Sequence, residues 1–326
     1  MTKRNRKDII FAAIYFHIMN KQLLIIILLI AMVSVTTAQD SNSPYLVVLG
    51  TVQDGGYPHP GCDKACCQMF YQGKEKKHYV SSLALIDPIT KQRFLFDCTP
   101  DFTAQLHNLN AIFPPDSSLF DGIFLTHAHI GHYTGLMYLG KEAMNTKHIV
   151  VYLTLDFYEF LDQNGPWSLL QKNDNISLMS LVTGEPFQLN EHITITPFFV
   201  PHREEFSKTV GYKISYGSKN IIFIPDIDKW QKWDKDIVQL VKGNDLLFID
   251  GTFYNSNELP GRDMSQIPHP SIEESMTLFK DLSSADKAKI HFIHLNHTNP
   301  ALIKGSKEQK EVEQNGFHIA QEGEIF

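Results

Sequence analysis

Short apolar runs recur along the chain between glycine, proline and aspartate clusters, a pattern of buried strands rather than of long helices. "PYLVVLGT" (Pro44–Thr51) predicts the first strand, and the glycine-rich loop "QDGGYPHPGC" follows it. "YVSSLALID", "RFLFD" and "DGIFLT" (Asp121–Thr126) predict three more, the last ending in a histidine-rich stretch. "YTGLMYLGKEAM" then has helical spacing, with Leu136, Leu139 and Met144 on one side, and "HIVVYLT" returns as a strand. Downstream, "EHITITPFFVPH", "TVGYKISYG" and "NIIFIPD" read as successive strands, "DKWQKWDKDIVQLVK" as a helix and "DLLFID" as a strand. "PSIEESMTLFKDL" reads as a helix opened by a capping box, Ser271 with Glu274 three residues on. "KIHFIHL" is the last clear strand, and "GFHIAQEGEIF" supplies a terminal edge. Antiparallel-looking runs give way to strands alternating with helices, so the expected class is α/β (α+β), two sheets with helices on their outer faces.

The N-terminus changes the picture, because it reads as targeting rather than fold. Lys21 precedes an apolar core from Leu23 to Val35, and the small residues Thr36 and Ala38 precede Gln39, the layout of a secretory signal peptide cleaved after Ala38. Residues 1–38 are then a leader, with Met19 an alternative start, and 39–326 one domain of a secreted or periplasmic protein. An uncleaved anchor is the other reading, but the apolar core is shorter than the ~20 residues a span needs. The net charge of -7 argues against nucleic acid and anionic lipid as partners. A small-molecule substrate is expected, with membrane contact only through an uncleaved leader.

The chemistry concentrates at the ends of the predicted strands. "FLTHAHIGHYTGL" holds His127, His129 and His132; His202, Asp226 and Asp250 close later strands, and "HFIHLNHTNP" holds His294 and His297. Imidazoles and carboxylates delivered from separate strand ends are what a metal site requires. Here the chain resembles the metallo-β-lactamase superfamily, whose signature is His-x-His-x-Asp-His followed by a distant histidine, an aspartate and a final histidine. The resemblance implies a four-layer αββα sandwich with metals in the cleft between the sheets. It also implies that His127, His129 and His202 hold a first zinc, that Asp226 bridges, and that His132 and His294 serve a second. Gly131 stands where the signature has an acid. The second site then keeps His132, His294 and Asp226, leaving a single-metal site, a two-metal site completed by water, Asp228 or Asp250, or a different metal.

Three of the four cysteines, Cys62, Cys66 and Cys67, lie in "GCDKACCQ", which reads as a ligand cluster; a disulfide involving Cys98, or free thiols, is the alternative. "FIHLNHTNP" and "LFIDGTFY" resemble the pyrroloquinoline-quinone biosynthesis protein B group, and the cysteine stretch resembles both that group and the phosphonate-pathway cyclic phosphodiesterases. The latter resemblance implies a structural zinc held by Cys62, Cys66, Cys67 and His297. The phosphodiesterases and transfer-RNA processing nucleases also place a histidine beside the cleft, which implies His269 as general acid; a solvated loop histidine is the alternative. His59 and Arg203 are further candidates for substrate contact. The expected function is an exported metal-dependent hydrolase of a phosphodiester or other small ester, with one or two catalytic zinc ions and one structural. The alternatives are an oxidative, iron-dependent enzyme of quinone-cofactor biosynthesis and a non-catalytic metal-binding carrier.

Overall fold

The computed structural model describes residues 43–115 and 119–326; the expected leader, residues 1–38, lies outside them. Among the described residues, no helix is long and apolar enough to cross a membrane. β1 (Tyr45–Gly50), β2 (Ser82–Asp87), β3 (Gln92–Phe96), β4 (Gly122–Phe124), β5 (Ile149–Leu153) and β6 (Ile176–Ser180) form one sheet in sequence order. The second sheet holds β7 (Phe187–Gln188), β8 (Ile193–Phe199), β9 (Val210–Tyr216), β10 (Lys219–Ile224), β11 (Leu246–Asp250), β12 (Ile290–Ile293) and β13 (His318–Ile319), also in consecutive order. The C-terminus joins the two, since Leu46 and Phe326 exchange backbone hydrogen bonds of 3.1 and 3.0 Å.

Side-chain alternation explains the layers. In β1, Leu46 and Val48 point one way, into a core shared with Phe94, Phe96 and Phe124 of the same sheet and Tyr212, Ile214 and Phe223 of the other. Val47 and Leu49 point the other way, against α2 (Phe102–Ile112), α4 (Leu155–Gln163) and α5 (Trp167–Lys172) through Leu106, Phe157 and Leu170. On the far face of the second sheet, Ile222, Leu247 and Phe292 meet Val241 of α6 (Ile237–Lys242) and Ile272 of α7 (Ile272–Leu278). Strands buried on both faces read as continuous apolar runs, and three cores between four layers make the two sheets with outer helices that the patterning predicts, the αββα sandwich that the resemblance implies.

Two helices are interrupted. Of the stretch expected over 133–144, only Tyr133 belongs to a helical turn, α3 (Ile130–Tyr133), and Thr134–Leu139 forms a 3₁₀ segment. The Gly135 N–H donates to the Cys98 carbonyl at 2.9 Å, and a Cβ on Gly135 would lie 2.2 Å from the Thr99 carbonyl oxygen, so this backbone docks on the loop after β3 instead of completing an α-helix. The stretch expected over 228–242 splits into a 3₁₀ turn, Trp230–Lys232, and α6. The indoles of Trp230 and Trp233 donate to Ser275 Oγ and the Phe199 carbonyl, and Asp236 starts the helix by accepting from the N–H groups of Val238 and Gln239. The capping box of α7 forms as expected, with Ser271 and Glu274 exchanging hydrogen bonds of 2.7 and 3.1 Å.

Candidate metal centre

β1 and β3 are both antiparallel to β2, and β4 is parallel to β3, so the chain leaves β1, β3 and β4 at one edge of the first sheet. By the same reasoning β8, β10, β11 and β12 leave the second sheet together. Asp54, Asp97, His127 and His129 follow strands of the first sheet, and His202, Asp226, Asp250 and His294 end or follow strands of the second. Carboxyl ends of co-directional strands are where open α/β sheets gather ligands. Asp97 and His294 both adopt a left-handed backbone with φ of 65°, which costs about 1–3 kcal/mol for a residue with a side chain and accompanies functional geometry.

His127, His129, His202 and Asp226 converge, and Asp54, His132 and His294 form a second group beside them. Asp226 stands between the two. Its Oδ2 lies 3.3 Å from His127 Nε2 and 3.4 Å from both His132 Nε2 and His294 Nε2, while Oδ1 lies 3.4 Å from His202 Nε2. These separations are long for charge-assisted hydrogen bonds. They match the edge of a tetrahedron, about 3.4 Å for donors ~2.1 Å from one zinc ion. His202 Nε2, His132 Nε2, His294 Nε2, Asp226 Oδ1 and Asp54 Oδ1 are buried without a hydrogen-bond partner. A cluster of orphaned donors with this composition and spacing fits resident metal ions.

Electrostatics favour the same occupant. Burial holds His127 well below the usual imidazole range, His202 at about 4 and His294 below its ordinary value, leaving neutral rings that present ligand lone pairs at neutral pH. Burial alone would raise the Asp226 carboxyl, but the surrounding imidazoles, His202 and His294 foremost, hold it well below the carboxylate range. Burial would likewise lower His132, yet Asp97, Asp226 and Asp54 raise it well above its ordinary value. A site that binds a proton this tightly places negative charge where a cation would sit.

Outer contacts orient the rings. His132 Nδ1 donates to Asp97 Oδ2 at 2.7 Å, Thr126 Oγ1 lies 3.0 Å from His127 Nδ1, and Thr252 Oγ1 lies 2.9 Å from His294 Nδ1. His129 turns Nδ1 toward His127 Nε2, at 2.8 Å, and Nε2 toward Glu205, at 3.2 Å. Asp250 accepts from Ile227 N–H, from Thr252 and from His269 Nδ1, the last at 2.8 Å. His269 also stands 3.2 Å from Asp226 Oδ1, with 11% of its side chain exposed, so it is not a solvated loop residue. Burial opposes its charged form, but Asp250 outweighs that and raises its pKa. The ring lines a cavity of ≈ 590 Å³ bordered by Lys229, Phe253, Asn255 and Glu273.

The other expectations sort differently. Asp228 forms an ion pair with Lys232 at 2.7 Å, and Asp250 is occupied as above, so neither completes the second group; Asp54 does. Cys62, Cys66, Cys67 and His297 gather on the helix α1 (Ala65–Tyr71), the loop before it and the segment after β12. The Cys62 and Cys66 sulfurs are 3.9 Å apart, close to the ~3.8 Å edge of a tetrahedral zinc–thiolate site. Burial holds His297 at about 4, again a neutral ring. All four cysteines are free thiols, and Cys98 is buried in a different core cluster from the other three, so the disulfide alternative fails. His59 stacks on His297 at 4.2 Å, and Arg203 pairs with Glu205 at 3.8 Å. Asp54, Asp97, Thr126, Thr252 and Glu205 were not singled out from sequence. Asp54 alone had a signal there, an acid in a glycine-rich loop directly after a strand.

The beta-lactamase superfamily domain model matches residues 92–292. The chain belongs to the beta-lactamase superfamily. Within this superfamily, it is 22% identical over 301 residues to coenzyme PQQ synthesis protein B of Methylorubrum extorquens (strain AM1), covering 86% of this chain and 98% of that one. Its fold is similar to that of zinc-bound PqqB from Methylobacterium extorquens, with a TM-score of 0.73 at 22% identity over 86% of this chain and 99% of that one. It is also similar to a diphosphatase of the PhnP family, with a TM-score of 0.62 at 19% identity over 87% and 96%. The superfamily fold accounts for both sheets.

Proposed function

We propose that this chain is an exported metal-dependent hydrolase acting on a phosphodiester or another small ester. The observation that carries the reading is Asp226, buried between two histidine groups whose nitrogens stand 3.3–3.4 Å from its oxygens, with Nε2 of His132, His202 and His294 unpartnered. His127, His129, His202 and Asp226 would hold one zinc ion, and Cys62, Cys66, Cys67 and His297 a structural one. A catalytic metal of this kind lowers the pKa of bound water toward ~7 and polarises the bond to be cleaved.

The protein's own groups supply the rest. Asp250 fixes His269 with the proton on Nδ1 and stabilises the charged ring, so the imidazolium carries a second proton on Nε2 for the leaving oxygen. The cavity beside it admits a small substrate, and Lys229 and Asn255 on its wall offer hydrogen-bond donors. The diphosphatase among the structural neighbours favours a phosphorus-centred substrate. The leader-like pattern of residues 1–38 is the basis for reading export.

A second reading has one specific support: relatives named for coenzyme PQQ synthesis match across 86% of the chain. On that reading the protein serves cofactor biosynthesis and its metal is iron. Elemental analysis of the purified mature protein, with assays on phosphodiester, phosphomonoester, carboxylic ester and lactam panels beside His127→Ala, separates the two. Zinc with metal-dependent phosphodiester turnover supports hydrolysis; iron without hydrolysis of any panel supports biosynthesis.

A further inference from the structure

Gly131 removes the signature carboxylate, and the space beside it is filled from another part of the chain. A Cβ built on Gly131 would lie 2.1 Å from Asp54 Oδ1 and 2.6 Å from the Asp54 Cα. The loop after β1 therefore runs through the volume that a side chain at 131 would occupy. The loop is held in place: Gln53 N–H donates to the Leu295 carbonyl at 2.9 Å, directly beside His294, and Gly56 N–H closes a turn onto the Gln53 carbonyl at 2.7 Å. Gly56 takes φ of 69°, which suits glycine.

We propose that Asp54 replaces the missing carboxylate and, with His132, His294 and the shared Asp226, completes a second metal site. The proposal rests on reading His127, His129, His202 and Asp226 as a metal site. Three donor atoms support it: Asp54 Oδ1, His132 Nε2 and His294 Nε2 are each buried and unpartnered, and they lie within 4.8 Å of one another. Asp54 Oδ1 stands 3.3 Å from His132 Nε2, longer than the ~2.7–2.9 Å of a charge-assisted hydrogen bond and close to the spacing of two ligands on one ion. The glycine is then no loss. It is what allows the Asp54 loop to approach, and a carboxylate at 131 and one at 54 exclude each other.

This exclusivity gives the test. The full mature chain is loaded with zinc, freed of excess metal and measured for zinc per chain and for zinc affinity, with circular dichroism as a check on folding. Asp54→Ala is expected to lose about one equivalent of zinc, and Asp54→Asn, which keeps the shape, to weaken that site by at least ~10-fold. Gly131→Asp also loses the equivalent, because its Cβ meets both the Asp54 carboxylate and the Asp54 Cα and pushes the loop away. Wild-type stoichiometry and affinity in a folded Asp54→Ala protein overturns the proposal. His127→Ala reports separately on the first site: if it loses no zinc, the metal-centre reading itself falls, whatever Asp54 does.

Discussion

At the centre, the side chains that do not touch a metal decide how well it is held. Asp97 is buried and fixes His132 through Nδ1 while also accepting from Thr126 N–H and Oγ–H. Asp97→Asn keeps the shape but removes the charge, and outer partners of this kind typically govern affinity by ~10–100-fold. Competition with a chromophoric chelator should show zinc bound to the His132 group weaker by that factor, with the cysteine site unchanged. His269→Gln is expected to keep its metal content and lower turnover by roughly 10²–10⁴-fold. Because Asp250 raises the His269 pKa above its ordinary value, activity in the parent should fall as pH rises through the raised pKa, and this alkaline limb should vanish in the variant. The histidines and Asp226 were legible because each ends an apolar run. Asp54 was not, since nothing in the linear order links it to Gly131, 77 positions later; only the returning strand brings them together.

Strand identities were legible for a related reason: both faces of most strands are buried, and an unbroken apolar run of four to eight residues is short for a helix and the right length for a buried strand. Helices were harder. α2, α4 and the helix Lys307–Gln314 went unassigned because polar residues interrupt the apolar positions of each. The interrupted helices at 133–144 and 228–242 failed because tertiary hydrogen bonds from Gly135, Trp230 and Trp233 override local spacing. The cysteine group links elements far apart in sequence, joining α1 and its preceding loop to the segment after β12. Cys66→Ser should cost one equivalent of zinc and lower the melting temperature by roughly 10 °C, because metal binding to such a site is folding energy. Equal melting curves for the two proteins would show that the cysteines carry no ion.

Across the molecule, the two sheets bury their inner faces against each other and direct strand ends from both to a single edge. Neither sheet alone supplies the cluster, because His127, His129 and His132 come from the first and His202, Asp226 and His294 from the second. The arrangement predicts that function depends on the metal, and a titration tests that most directly. Zinc is added stepwise to chelator-stripped protein while hydrolysis of bis(p-nitrophenyl) phosphate and the esters of the panel is followed, with His127→Ala in parallel. At least one substrate is expected to turn over in proportion to metal bound at the histidine cluster, and His127→Ala to stay inactive at every zinc concentration. A fully loaded, folded protein that hydrolyses none of them, or a His127→Ala protein as active as the parent, would contradict that dependence.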